Sequence, residues 1–173
     1  FGPIGQAIYP FLIAQLSINR LKAINQTKKA LYLYTFISLV MSVPIFIFAD
    51  PIIVLLFGIE YQPAGVLLAL LSIRLFFTNM GVARGTYILT ENLMKFSMLT
   101  MILGTIVNIY LNYVMIPYYG ARGAIGATIV SFFTTIYLVD IFYSKTRHNV
   151  ILQVKSIFSF YKLNFSKKVR NGI

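Results

Sequence analysis

Four long apolar stretches constrain this chain more than any other feature of its sequence. They cover residues 30–49, 64–90, 96–116 and 123–143, and each reaches the roughly 20 residues that an α-helix needs to cross a bilayer. Charged residues make up only 11% of the chain, whereas a soluble domain carries about 25%. The sequence therefore predicts an all-α fold, a polytopic transmembrane helix bundle with four spanning helices.

The two ends of the chain differ from these stretches. Residues 1–16 are apolar but too short to span a bilayer alone, so we interpret them as the end of a truncated helix. No basic segment precedes them, so no signal peptide is predicted, and we expect a fragment that lacks the N-terminal helices of a larger protein. Residues 150–165 have apolar side chains at helical spacing with polar and basic ones between them, which predicts an amphipathic helix on the cytoplasmic surface. We therefore divide the chain into a transmembrane part, 1–149, and a basic cytoplasmic tail, 150–173.

Basic residues fall almost entirely on one side of the predicted bundle. The segments 17–29, 58–62, 91–95 and 117–122 are short, so neighbouring helices should run antiparallel. If 17–29 is cytoplasmic, the opposite side holds only Arg122, which predicts a cytoplasmic C-terminus in the cell inner (plasma) membrane. The net charge of +11 then reflects topology and contact with anionic lipid headgroups, not nucleic acid. The basic residues of the cytoplasmic side are Arg20, Lys22, Lys28, Lys29, Lys95, Lys145, Arg147, Lys155, Lys162, Lys167, Lys168 and Arg170.

Few residues in the chain could carry out catalysis or bind a metal. It has no cysteine and one histidine, and its acids are Asp50, Glu60, Glu91 and Asp140, all near the ends of predicted helices. Catalysis by paired carboxylates, by a Ser/His/Asp arrangement or by a metal would need residues that this composition does not supply. We therefore predict a protein that is not an enzyme and that uses no cofactor and no metal.

Two arginines lie inside the second apolar stretch. Arg74 is about 15 Å into that helix, near mid-bilayer, where a guanidinium costs about 2.5–3.5 kcal/mol on insertion scales. No acid is expected at its depth, which favours a position on a wet cavity where Arg74 binds an anion such as a phosphate; pairing with an acid elsewhere in the protein is the alternative. Arg84 is about 9 Å from the helix end, so it either snorkels to the interface or lines the same cavity. Asp140 is expected at the interface or as a partner of Lys145.

The third apolar stretch carries a polar stripe. Thr100, Gly104, Asn108 and Asn112 recur at a spacing of four residues and so lie on one inclined face of a helix. Two asparagine amides cannot face lipid without losing their hydrogen bonds, so this face must meet protein or water. Hydrogen bonding between helices is the favoured interpretation, and Asn108 and Asn112 are cavity-lining candidates in the alternative one.

One pattern resembles a known family. Residues 108–128 read N-x-x-L-N-x-x-x-I-P-x-x-G-x-x-G-A-x-x-A-T, in which Pro117 should end the third helix and Gly120 should allow the turn into the fourth. With Tyr9-Pro10, Pro44 and the segments 51–58 and 61–64, this order resembles the C-terminal part of the polysaccharide exporters. These are the O-antigen and lipid-linked-oligosaccharide flippases of the multidrug/oligosaccharidyl-lipid/polysaccharide exporter superfamily. The resemblance covers residues 1–145.

The resemblance implies a function and a substrate. The chain would form about the last four helices of a transporter whose two bundles enclose a cationic cavity with alternating access. The substrate would be an undecaprenyl-diphosphate-linked oligosaccharide, moved from the cytoplasmic to the outer leaflet for surface polysaccharide synthesis. The alternatives are a multidrug or lipid II exporter of the same superfamily, a membrane polysaccharide polymerase or glycosyltransferase, and a truncated product without function.

Overall fold

A computed structural model describes the backbone of residues 20–159 and the side chains of residues 26–157. This part of the chain is helical and contains no strand, which confirms the expected all-α class. The predicted truncated helix at 1–16 and the end of the predicted tail, from residue 160, lie outside the described residues. The helices are α1 (Arg20–Ile47), α2 (Ala49–Phe57), α3 (Gly65–Thr90), α4 (Met94–Phe133), α5 (Val139–Phe142) and α6 (Ser144–Ser159), with a 3₁₀ segment, Ile59–Ala64, before α3 and a π-helical turn, Thr134–Leu138, before α5.

Three helical stretches in the described part are long and apolar enough to cross a membrane. They are Gln26–Ile47, Ile59–Thr90 and Met94–Phe142, as expected for a polytopic membrane protein. The third stretch has 49 residues. A straight helix of that length would measure about 74 Å, more than twice the hydrocarbon thickness of about 30 Å. The stretch is not straight but folds back on itself. It therefore contains two of the predicted helices.

The chain reverses direction at Gly120. This glycine has φ 53° and ψ −132°, a conformation that the absence of a Cβ permits. On its two sides the rings of Phe96 and Tyr143 stack with centroids 4.4 Å apart, and Gly104 packs against Thr135. Residues equally distant from Gly120 therefore face each other. Residues 94–119 and 121–142 form the two antiparallel arms of a helical hairpin, and each arm is long enough for one crossing.

Two helix ends differ from the sequence expectation. Pro117 lies inside α4, so the prediction that it ends the third helix is wrong, and the break comes three residues later at Gly120. The first long helix is already formed at Arg20, where the described residues begin, and it ends at Ile47, so it extends before the apolar stretch 30–49 and ends two residues earlier. Apolarity marks the part of a helix that suits lipid, whereas the hydrogen-bonded helix continues into polar sequence.

Helices α1 and α3 pack antiparallel through an interface that contains many hydroxyl groups. Thr27 and Thr90 share a hydrogen bond of 2.9 Å at one end. About halfway from Thr27 to the end of α1, Ser38 donates to the carbonyl oxygen of Phe76 at 3.3 Å. These pairs fix the relative height of the two helices, because each hydroxyl in an apolar bundle needs a nearby partner.

Helix α6 packs differently from the expected surface helix. Its neutral polar side chains Thr146, Asn149, Gln153 and Ser156 are buried, while Ile151 on the other side is exposed. The amphipathic helix expected over 150–165 is thus present up to Ser159, and its buried side carries these polar residues. The cause is the hydroxyl-rich surface of α1 and α3, to which α6 adds matching groups: the hydroxyls of Thr35 in α1 and Ser156 lie 2.7 Å apart.

Candidate binding cavity

A cavity of about 810 Å³ lies between α3 and the two arms of the hairpin. Its size falls in the range of small-molecule binding sites, about 300–1,000 Å³. One wall comes from α3 and the opposite wall from the first and second arms. The lining residues are Arg74, Gly81, Arg84, Gly85, Ile88, Leu89, Met94, Ser97, Thr100, Met101, Gly104, Thr105, Asn108, Thr128, Ser131, Phe132, Thr135 and Ile136. Three of the four residues expected at a binding site from the sequence, Arg74, Arg84 and Asn108, are among them.

Arg74 is exposed on the cavity wall of α3. Its backbone carbonyl accepts a hydrogen bond from Thr78 at 2.9 Å, and no ion pair of its guanidinium occurs among the side chains of residues 26–157. It also borders a smaller pocket of about 370 Å³ beside α1. A guanidinium without a carboxylate partner is a strong donor set for phosphate or carboxylate groups. Arg74 thus lies on a cavity wall, and the binding of an anion by it stays a prediction.

Arg84 has a different environment. It is only 6% exposed and pairs with the fully buried carboxylate of Asp140. Nε and Nη2 of Arg84 each donate to one carboxylate oxygen at 2.8 Å, so the pair is bidentate. Nη2 also donates to the hydroxyl of Thr100 at 3.1 Å. The expectation that Asp140 pairs with Lys145 is therefore wrong, because its partner is Arg84. Arg84 lines the cavity, which is one of the two positions predicted for it.

The turn between α4 and α5 positions Asp140. The π-helical turn Thr134–Leu138 inserts one residue into the second arm just before it, which rotates the following residues relative to a continuous α-helix. Next to the ion pair, the Arg84 guanidinium carbon lies 5.8 Å from the centre of the Phe96 ring, and that ring stacks on Tyr143. Thr146 at the start of α6 donates to the backbone carbonyl of Asp140 at 2.9 Å. The pair is thus held by α3, both arms and α6.

The polar stripe of the first arm faces the cavity over most of its length. Thr100, Gly104 and Asn108 line it, and Asn112 does not. Asn112 instead donates its amide to the side-chain oxygen of Asn108 at 2.9 Å. Asn108 is therefore a cavity residue, and Asn112 supports it along the same helix. Arg84 and Thr100 are hydrogen-bonded, and α3 and the first arm run antiparallel. A similar number of residues leads from Arg84 back to Arg74 and from Thr100 on to Asn108, so Asn108 lies opposite Arg74 along the helix axes.

The sequence reasoning missed the second arm's contribution to this site. Ser131 and Thr135 line the cavity and Asp140 neutralises Arg84. The turn predicted at Gly120 could have indicated this contribution, because a turn there brings the end of the fourth apolar stretch, with Asp140, beside the start of the third. Among the described residues no cluster of three or more His, Cys, Asp or Glu side chains could hold a metal ion.

Comparisons with protein-family models, with curated proteins and with solved structures found no match to this chain.

Proposed function

We propose that this chain is part of a membrane transporter that translocates an undecaprenyl-diphosphate-linked oligosaccharide from the cytoplasmic to the outer leaflet for surface polysaccharide synthesis. The observation that carries the proposal is Arg74, whose guanidinium has no ion pair among the described side chains and lies on the wall of a cavity inside a bundle of membrane-spanning length. An amphiphile with a diphosphate fits such a site, because the cation stabilises the phosphates while the surrounding apolar wall accommodates a prenyl chain.

The proposed protein is a multi-pass protein of the inner (plasma) membrane with its basic end in the cytoplasm. In the part of the chain that the structure describes, Lys29, Lys95, Lys145 and Arg147 lie at the end of the bundle where α3 meets α4. Anionic headgroups of the cytoplasmic leaflet would attract these residues, each by about 1 kcal/mol. The proposed partners are therefore the lipid-linked substrate and anionic lipids.

Lipid II export remains the nearest alternative, since lipid II also carries a diphosphate and would use Arg74 in the same way. A multidrug exporter for cations is less well supported. It would use an unpaired buried acid, and the buried acid of the described residues, Asp140, is neutralised by Arg84. A polymerase or glycosyltransferase would need catalytic acids or bases on the cavity wall, where the lining residues include none with a carboxylate or an imidazole.

The test is substitution of Arg74 in the intact protein. Arg74→Ala should reduce surface polysaccharide at least about tenfold at unchanged protein level, since a charged hydrogen bond is worth about 1.5–3 kcal/mol. Arg74→Lys should keep part of the export because it keeps the charge but loses the bidentate geometry. Arg122→Ala, which removes an exposed arginine outside the cavity, is the matched control. Normal export by Arg74→Ala would contradict the proposal.

A further inference from the structure

The two arginine side chains of the cavity lie in surroundings of different net charge. Arg74 has no carboxylate partner among the described side chains, whereas Arg84 shares its charge with Asp140. Ten residues separate them on α3, which places them about 15 Å apart along the helix axis. A diphosphate is too short to contact both. The two ends of the cavity therefore offer different chemistry to one elongated ligand.

The hydrogen bonds of Arg84 leave one edge of its guanidinium available. The group has five N–H donors; two go to Asp140 and one to Thr100. The remaining two belong to Nη1, whose contact among the described side chains is a long one of 3.5 Å to the hydroxyl of Ser97. Asp140 already compensates the positive charge of Arg84. The Nη1 edge can therefore donate hydrogen bonds to a neutral group, whereas it is a weak site for an anion.

The surrounding hydroxyls supply acceptors. Thr100, Thr105, Ser131 and Thr135 all line the cavity. Each donates its hydroxyl hydrogen to a backbone carbonyl of its own helix at 2.8–3.0 Å. A hydroxyl oxygen that has donated its hydrogen still has lone pairs that can accept. Thr100 and Thr135 lie toward Arg84, whereas Thr105 and Ser131 lie farther along the cavity toward Asn108. The wall that runs from Arg84 toward Asn108 thus presents donors and acceptors without net charge.

We propose that the Arg84 end of the cavity is a subsite for sugar hydroxyls, while the Arg74 end takes the diphosphate. Sugar hydroxyls both donate and accept, which matches the Nη1 edge of Arg84 and the acceptor hydroxyls near it. Asp140 acts here as a positioning residue: it neutralises Arg84 and fixes the plane of its guanidinium. This inference rests on the proposed function, since it assigns the two parts of a glycosylated diphosphate to the two ends of one cavity.

The experiment compares ligands with and without a sugar on the intact purified protein. The probes are farnesyl diphosphate and farnesyl diphosphates that carry one glucose, galactose or N-acetylglucosamine, and the Kd of each is measured by titration calorimetry in detergent. We expect at least one glycosylated probe to bind about tenfold more tightly than farnesyl diphosphate, which corresponds to one or two net hydrogen bonds.

The variants separate the subsite from the phosphate site. Arg84→Met combined with Asp140→Leu removes both charges together, and it should abolish the preference for the sugar while the Kd for farnesyl diphosphate changes less than about twofold. Arg74→Gln should weaken all probes by a similar factor and keep the preference. Thr105→Val leaves the ion pair intact and should reduce the preference about threefold, so the subsite can be tested even where the double variant does not fold.

The outcomes distinguish failure of the subsite from failure of the proposed function. Retention of the sugar preference in the double variant and in Thr105→Val, or equal weakening of all probes by both, would overturn the subsite. If Arg74→Gln still weakens the probes in that case, the proposed function stands without the subsite. Wild-type protein that binds none of the probes would overturn the proposed function and the subsite together.

Discussion

At the scale of single residues, two arginines of one helix have different environments because of one carboxylate. Arg74 and Arg84 both lie in an apolar stretch, and the sequence distinguishes them only by their depth from the helix ends. Asp140 makes the difference, since it is fully buried against Arg84 and far from Arg74. Isolated charges in an apolar interior are strongly disfavoured, so each member of the pair depends on the other.

This dependence predicts a non-additive response to substitution. Asp140→Ala or Arg84→Met alone should lower the free energy of unfolding by about 3–5 kcal/mol, because each leaves an unpaired buried charge. Arg84→Met with Asp140→Leu should be within about 2 kcal/mol of wild type, because apolar groups of similar volume often replace a buried pair without loss. Thermal unfolding of the three purified variants in detergent measures this. Equal destabilisation in the single and double variants would contradict the account.

At the scale of the helical elements, the hairpin depends on close contact between its arms. Gly104 of the first arm packs directly against Thr135 of the second, and a Cβ added at Gly104 would overlap the methyl group of Thr135. Small residues at such crossings let helices in membranes approach closely. Gly81 differs, because a Cβ there would meet Ile136 at an ordinary 3.5 Å.

Gly104→Ala should therefore destabilise the protein by about 1–3 kcal/mol, the usual cost of overpacking. Thr135→Ser removes the overlapping methyl group and keeps the hydroxyl, so it should restore most of the lost stability in the double variant. Gly81→Ala is the matched control and should be neutral or slightly stabilising, since alanine favours a helix over glycine by about 1 kcal/mol. The melting temperatures of the variants test this. A neutral Gly104→Ala would mean that the arms are farther apart than described.

The sequence predicted some elements better than others for physical reasons. Apolar length identified the long helices, and Gly120 identified the turn of the hairpin, because both depend on local chemistry. Apolar periodicity did not predict that Asn149 and Gln153 of α6 are buried, since this depends on packing against helices distant in sequence, where Gln153 donates to the backbone carbonyl of Met80. It also missed the Arg84–Asp140 pair, which depends on the π-helical turn and on the register of two arms.

At the scale of the whole molecule, the two ends of the bundle carry different chemistry. Thr27 and Thr90 lie side by side at one end, and Tyr87 donates to the backbone carbonyl of Lys145 near it at 2.8 Å. The reversal at Gly120 and the 3₁₀ segment Ile59–Ala64 lie at the other end. If every long helix and each arm of the hairpin crosses the bilayer, these two ends lie on opposite sides of the membrane. The proposed orientation puts the basic end in the cytoplasm.

The absence of cysteine from the chain makes this arrangement directly testable. Single substitutions Tyr61→Cys and Tyr119→Cys fall at one end, and Asn92→Cys and His148→Cys at the other; all four positions are exposed. A membrane-impermeant maleimide should label positions 61 and 119 in intact cells, and positions 92 and 148 only after the cells are permeabilised. Ile106→Cys, exposed midway along the first arm, should react slowly in both conditions because an arm that crosses the bilayer would place it in lipid. Labelling of positions 92 and 119 from the same side would show that the arms enter the membrane without crossing it, and four crossings would then be wrong.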